Sequence, residues 1–233
     1  ETDAQLVTSS LIASSAPGSL GLASIELSGS DLGTRDIGDG ARAIYLPRNC
    51  LTVSHEAAAQ TVTYQFNACA FGPNGLRDLT GEVKARYRVA NGQLHLDLTA
   101  TDFQVNDARV DWSATADVQS TNTDRTMVWK AQMSGTTARG RELSRTTDHT
   151  LTWRLGEACF ELEGVSEGQV GKREIRTEVA DYRRCRRSCP DDGGRIVITK
   201  RDRRIELRFD GTNKAIFVNA RGRETVVPLL CRP

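Results

Sequence analysis

The sequence lacks long apolar runs and has few of the residues on which catalysis usually depends. No segment approaches the roughly 18 consecutive apolar residues that a transmembrane helix requires. Only three histidines are present, and two of them, His55 and His149, are expected at solvated positions. We expect no phosphate-binding loop, no His-Glu-x-x-His helix and no nucleophile elbow. The chain is therefore predicted not to be an enzyme and to require neither a metal nor a cofactor.

Apolar and polar residues alternate with a period of two over most of the chain after residue 50. Val62, Tyr64 and Phe66 alternate with polar residues, and residues 94–98 repeat the pattern. Such alternation is typical of strands with one buried face and one solvated face. The Asn-Gly pair before residue 93 predicts a hairpin, because both central residues of a type I′ turn need positive φ. We therefore predict an all-β fold of about a dozen strands. These strands form an antiparallel meander, arranged as a sandwich, a curved sheet or an open barrel.

The first 49 residues differ from the rest of the chain. Four apolar residues near the start share one face of a helix: Ala4, Val7, Leu11 and Ile12. The Pro17-Gly18 pair ends that helix, and the following residues are rich in Gly, Ser and Asp. We expect residues 1–49 to form one short helix and an irregular connection. Residues 50–233 are expected to form a disulfide-stapled antiparallel β domain.

Six cysteines are present: Cys50, Cys69, Cys159, Cys185, Cys189 and Cys231. Cys185 and Cys189 could form half of a zinc site, but no second Cys or His pair lies nearby, so disulfides are favoured. In a four-strand meander, the start of the first strand and the end of the fourth lie at one end of the sheet. That geometry predicts a Cys189–Cys231 bond in the final block. Cys50 and Cys69 flank one predicted strand and form the natural second pair, which leaves Cys159 with Cys185.

Paired thiols predict an oxidising, extracytoplasmic location, such as the cell surface, the periplasm or the medium. The chain begins at Glu1 without an initiator Met or a signal sequence. We therefore expect a mature exported protein whose leader has been removed.

Charge is distributed unevenly along the chain, although the net charge is only +1. Residues 1–169 contain 14 Lys and Arg against 21 Asp and Glu, whereas residues 170–233 contain 17 against 9. Two basic groups stand out, one around Cys185 and one in a later turn: Arg183, Arg184, Arg186 and Arg187, then Lys200, Arg201, Arg203 and Arg204. Arginine forks bind phosphates and carboxylates in a bidentate manner.

We predict that these basic residues bind an anion or a partner. The candidates are a polyanion of the cell envelope and the acidic face of another copy of the chain. Nucleic acid is not expected, because aromatic residues are not interleaved with the arginines. The alternative is that both groups are solvated turns, and that acidic and basic strands pair within one sheet.

One stretch resembles a family of bacterial exported β-rich lipoproteins of uncharacterised function. The resemblance rests on Phe66-Asn67-Ala68-Cys69, on the turn Gly72-Pro73-Asn74-Gly75, and on Gly81 before an alternating strand. The later layout is similar too, with the segment 102–106 followed at once by a second strand, and a final block that ends at the last cysteine. The resemblance covers roughly residues 50–231 and implies a β-rich envelope protein. No Cys stands at position 1, so a lipid anchor would precede Glu1, or the protein is secreted.

Three functions remain open. The leading hypothesis is a non-catalytic exported protein with a structural, adhesive or self-assembling role in the cell envelope or at the cell surface. The first alternative is a carrier or binding module for a lipid or other apolar ligand, held in a curved sheet. The second alternative is an enzyme acting on an envelope polymer, which would need a cleft with paired carboxylates or a perturbed histidine.

Overall fold

The computed structural model describes residues 45–71, 78–91, 93–154, 159–185, 188–229 and 231. These residues contain fourteen strands and one turn of 3-10 helix at Ala57–Ala59. The predicted N-terminal helix lies outside the described residues, as do the Gly-Pro-Asn-Gly turn, Arg186 and Arg187. The strands are β1 (Tyr45–Leu46), β2 (Leu51–Glu56), β3 (Thr61–Phe71), β4 (Leu79–Ala90), β5 (Gln93–Val105), β6 (Ala108–Ser120), β7 (Asp124–Thr136), β8 (Glu142–Arg154), β9 (Cys159–Val170), β10 (Arg173–Cys185), β11 (Arg195–Lys200), β12 (Arg203–Phe209), β13 (Lys214–Val218) and β14 (Glu224–Pro228).

The strands belong to one sheet in which chain neighbours are also hydrogen-bonded neighbours from β3 to β14. Two strands, β1 and β2, pair with different parts of β3. Tyr45 lies opposite Phe71 near the end of β3, and Leu51 lies opposite Phe66 further back. The predicted all-β antiparallel meander is confirmed. The period-two pattern accounts for this meander, because each strand buries every second side chain and short turns connect neighbouring strands.

The described residues divide into two compact units. Unit 1 contains the residues up to Asp117 together with Lys130–Ser144, and unit 2 contains Val118–Trp129 and everything from Arg145 onward. The division therefore passes through β6, β7 and β8.

Unit 1 has an apolar core built from the alternating residues. Leu94, Leu96 and Leu98 of β5 are at most 1% exposed, and Leu96 lies opposite Tyr87 of β4. Asn91, in the predicted hairpin turn, has a φ of 53°, in the left-handed region that a type I′ turn requires. The alternation in the sequence therefore predicts correctly which face of these strands is buried.

Three disulfides staple the described strands, with the pairing predicted from the sequence: Cys50–Cys69, Cys159–Cys185 and Cys189–Cys231. Cys159 and Cys185 are register partners on β9 and β10. Because Cys185 and Cys189 belong to two different disulfides, neither thiol is available to bind zinc. Three disulfides indicate an oxidising, extracytoplasmic environment.

Candidate anion-binding site

The two basic groups predicted from the sequence lie at opposite ends of β10 and β11. Ala180 of β10 lies opposite Arg195, and Arg176 lies opposite Thr199. Arg183 therefore extends beyond the start of β11, whereas Lys200 marks its end. At about 3.3 Å per residue, roughly 25 Å of strand separates the two groups. The structure does not bring them together into one patch.

The group near Cys185 is engaged within the protein. The Arg183 guanidinium contacts Asp191 through Nη1 at 2.6 Å and Glu161 through Nε at 3.5 Å. Arg184 donates from Nε to the carbonyl oxygen of Ser188 at 3.2 Å. These contacts fix the region beside the Cys159–Cys185 bond, and they make the two arginines poor candidates for binding an external anion.

The second group belongs to a larger cationic surface that sequence proximity did not reveal. The β9–β10, β11–β12 and β13–β14 turns all lie at the same end of the unit 2 strands. The register shows this, because Lys200 lies opposite Arg203 and Glu206 lies opposite Val218. We call this surface the basic end, and it consists of Lys172, Arg173, Lys200, Arg201, Arg203, Arg204, Arg221 and Arg223.

Most of the basic end is solvent-exposed and lacks ion pairs. Five of its cations have no carboxylate oxygen within ion-pair distance among the residues that the structure describes: Lys172, Arg201, Arg203, Arg221 and Arg223. Arg204 does have such a contact, at 3.4 Å from Glu206. Against these eight cations, the turn segments 170–174, 199–204 and 219–224 contain three acidic residues, Glu174, Asp202 and Glu224. The basic end is therefore a concentration of positive charge that its own neighbours leave largely uncompensated.

The turns that carry these cations are ordered. Asn219 accepts hydrogen bonds through Oδ1 from the backbone N–H groups of Arg221, at 2.9 Å, and Arg223, at 3.1 Å. Such Asx contacts hold a tight turn in one conformation. Arg201 has a φ of 55° and Gly222 a φ of 74°, as tight hairpins require. The cations therefore project from fixed backbone positions.

His149 corrects one expectation from the sequence. It was expected on the solvated phase of its strand, but it is only 1% exposed, whereas the neighbouring Asp148 is exposed. His149 lies two residues before the buried Leu151, and residues two apart in a strand point to the same face, so the alternation places His149 on the buried face. Burial, followed by the nearby Arg145 charge, lowers the pKa of His149 to about 4, so its imidazole is neutral at physiological pH.

His149 contacts a serine within a motif that the search for catalytic patterns missed. Residues 164–168 read Gly-Val-Ser-Glu-Gly and match the Gly-x-Ser-x-Gly pattern. Ser166 Oγ lies 3.2 Å from His149 Nε2 and donates to Thr147 Oγ1 at 3.2 Å. The motif lies inside β9 rather than at a strand-to-helix turn, and Ser166 is only 1% exposed. The Ser166–His149 pair is thus a buried contact and not an accessible nucleophile.

A second histidine, in unit 1, is held between two carboxylates. His95 Nδ1 lies 2.5 Å from Asp117 Oδ1, and His95 Nε2 lies 3.2 Å from Asp97 Oδ1. Ionised carboxylates only accept hydrogen bonds, so both ring nitrogens must donate, and the imidazole is held in its charged form. The hydrogen bond to Asp117 is the main reason that the pKa of His95 is raised.

Comparisons with known proteins identify no relative of this chain, so its function is inferred from its own residues. No family model, no curated protein and no solved structure matches the chain. Within the described ranges, no three His, Cys, Asp or Glu side chains group as a metal site would need. None of the helical structure found there has the length and hydropathy for crossing a membrane.

Proposed function

We propose that this chain is a non-catalytic exported protein of the cell envelope or cell surface, and that its basic end binds a polyanion. The observation that carries the proposal is the row of exposed cations on three adjacent turns. Five of these cations lack an ion pair among the described residues. The oxidising environment indicated by the disulfides is consistent with this location.

The spacing of the turns favours a polymer over a small ion. Neighbouring strands lie about 4.8 Å apart, so successive hairpin turns lie about 10 Å apart and the three turns span roughly 20 Å. A small anion would contact one turn, whereas a chain with repeated negative groups contacts all three. The turn segments 170–174, 199–204 and 219–224 contain no aromatic residue, so they offer no stacking platform for single-stranded nucleic acid.

Charge reversal at the basic end tests the proposal. Arg203→Glu/Arg221→Glu reverses two cations there, and Arg195→Glu/Lys214→Glu makes the same charge change at the opposite end of β11 and β13. Binding to heparin and to inorganic polyphosphate is measured for both variants at about 0.15 M salt. We expect the first variant to lose tenfold or more in affinity, and the control to lose little. Equal losses, or no binding by the unchanged protein, would refute the proposal.

Association between copies of the chain is the second candidate, and the charge asymmetry favours it. The acidic residues 1–169 of one copy would meet the basic end of the next copy. Sedimentation velocity at low and high salt distinguishes this candidate, because head-to-tail contacts between charges weaken as salt screens them. A monomer at every salt and protein concentration would contradict it.

A further inference from the structure

The interior of unit 2 contains a row of polar side chains, whereas the strands of unit 1 place aliphatic side chains in their interior. Arg145, Thr147 and His149 are alternate residues of β8 and share one face. Ser166 of β9 contacts both Thr147 and His149, and Thr177 of β10 lies opposite Ser166 in the register. We call these five residues the buried polar cluster. Thr177 is 0% exposed and His149 is 1% exposed.

Four polar atoms of this cluster are buried without a hydrogen-bond partner among the described residues: Arg145 Nε, Arg145 Nη2, His149 Nδ1 and Thr177 Oγ1. More than nine in ten buried polar groups in folded proteins have a partner, and an unpartnered group costs about 1–3 kcal/mol. Four such atoms on one face of three adjacent strands therefore indicate a partner that the described residues do not supply.

The two Arg145 atoms indicate what kind of partner fits. In a guanidinium group, Nε–H and Nη2–H point in parallel along one edge of the plane. That edge matches two oxygens of a carboxylate or another oxyanion, which is the strongest arginine contact.

The electrostatics of the cluster agree with an anionic partner. Burial lowers the pKa of Arg145 to about 10, and among the described residues no carboxylate contributes to that shift. His149, in its neutral form, adds no charge. The cluster thus has one half-buried positive charge whose Nε and Nη2 atoms are shielded from water, which is costly unless an anion pairs with it.

One glycine lies beside the Arg145 side chain. Gly168 is two residues after Ser166, so it shares the same face of β9 and presents no side chain there, whereas the space at Gly164 is filled by His149 and the backbone of β8. The Thr146 hydroxyl donates to the carbonyl oxygen of Glu167 at 3.4 Å, which sets Arg145 beside Gly168. The surface next to the Arg145 fork is therefore bare backbone, which an anion can approach closely.

We propose that the buried polar cluster binds a small oxyanion, with two of its oxygens on the Nε and Nη2 hydrogens of Arg145 and a further hydrogen bond from the Thr177 hydroxyl. The site involves none of the residues of the basic end, so it is a separate function of unit 2. A single carboxylate and inorganic phosphate share this chemistry, and acetate and phosphate are therefore the two probes.

The test measures thermal unfolding in sodium acetate and sodium phosphate against sodium chloride at equal ionic strength. The unchanged protein is expected to show a saturable rise in Tm with at least one probe, because binding to the folded state alone stabilises it. Arg145→Lys keeps the charge and loses the fork, so it should lose the rise. Arg139→Lys, an exposed arginine elsewhere, should keep it. The basic-end variant Arg203→Glu/Arg221→Glu should also keep it, which separates this site from the polyanion surface.

A second variant guards against loss of folding in Arg145→Lys. Thr177→Val replaces the unpartnered hydroxyl with a methyl group of similar volume, and it should weaken the binding of the effective probe at least fivefold. The Arg145 Nε–H signal in 1H–15N spectra, assigned by its loss in Arg145→Lys, should shift during the same titration. Three results would each overturn the proposal: no anion-specific rise in Tm, an equal rise in Arg145→Lys, or an unmoved Nε–H signal.

Discussion

Replacing Gly164 with alanine should be among the most damaging single substitutions in unit 2. Gly164 has a φ of 140°, a conformation that residues with a Cβ rarely adopt. An added Cβ would lie 2.2 Å from the carbonyl oxygen of Asp148 and 2.7 Å from the Cα of His149. Both are backbone atoms of the neighbouring strand, so the overlap is relieved only if β8 and β9 move apart.

The expected magnitude follows from two contributions. Backbone strain at such a φ costs about 1–3 kcal/mol, and forced repacking of close neighbours costs about 1–3 kcal/mol more. Gly164→Ala should therefore lower the free energy of unfolding by about 2–6 kcal/mol. Gly171→Ala is the matched control, since its φ is 58° but nothing lies within 4 Å of an added Cβ. It should cost only about 1–2 kcal/mol, from the left-handed conformation alone.

Urea unfolding followed by circular dichroism measures both free energies, and similar m-values would show that the unfolding reactions are comparable. The reasoning is refuted if Gly164→Ala costs no more than Gly171→Ala. That result would mean that β8 and β9 do not approach closely at this point, and the description of the His149 environment would fail with it.

Two further predictions concern charge and covalent linkage. Because the folded state holds His95 charged and raises its pKa, its stabilisation is complete below the unfolded pKa of about 6.5 and is lost as the pH rises through the folded value. Urea unfolding between pH 5.5 and 8.5 should therefore show a fall in stability that His95→Gln lacks, and parallel profiles would contradict the clamp by Asp97 and Asp117. Replacing Cys159 and Cys185 together with alanine should lower stability by about 3 kcal/mol in the same assay. An unchanged midpoint would show that this bond does not constrain the unfolded chain.

Alternation in sequence was enough to predict the strands and the apolar core of unit 1. Leu94 and Leu96 are buried as their phase requires, because a strand facing one core must place every second side chain inside. The disulfide pairing was also accessible, since a four-strand meander returns the end of its last strand to the level where its first strand begins. Both inferences depend only on period and connectivity.

Alternation alone does not predict the buried polar cluster, because it assigns polar residues to the solvated face of a strand. His149 and Ser166 each occupy an inward phase, and the parity of Leu151 and Leu162 indicates this in the sequence. A polar residue on an inward phase is the signal that could have found the site, because burying it is costly without a partner.

The composition of the basic end could not be read from proximity along the chain. Arg183 and Lys200 are separated by a single hairpin, yet that hairpin has long arms that place them at opposite ends of the strands. Lys172 and Arg221 are distant in sequence, but the register puts their turns at one end. Strand lengths and bulges, such as the register shift between Val179 and Tyr182, decide which turns share an end.

The salt dependence of polyanion binding tests the central claim most directly. If the basic end binds a polyanion through several cations at once, the affinity for polyphosphate should fall steeply as salt rises from about 0.05 to 0.2 M, because each contact releases counterions. The slope of log affinity against log salt reports the number of phosphate contacts. In Arg203→Glu/Arg221→Glu we expect a shallower slope that corresponds to about two fewer contacts. In Arg195→Glu/Lys214→Glu the slope should be unchanged. A slope that is the same in all three proteins would contradict it.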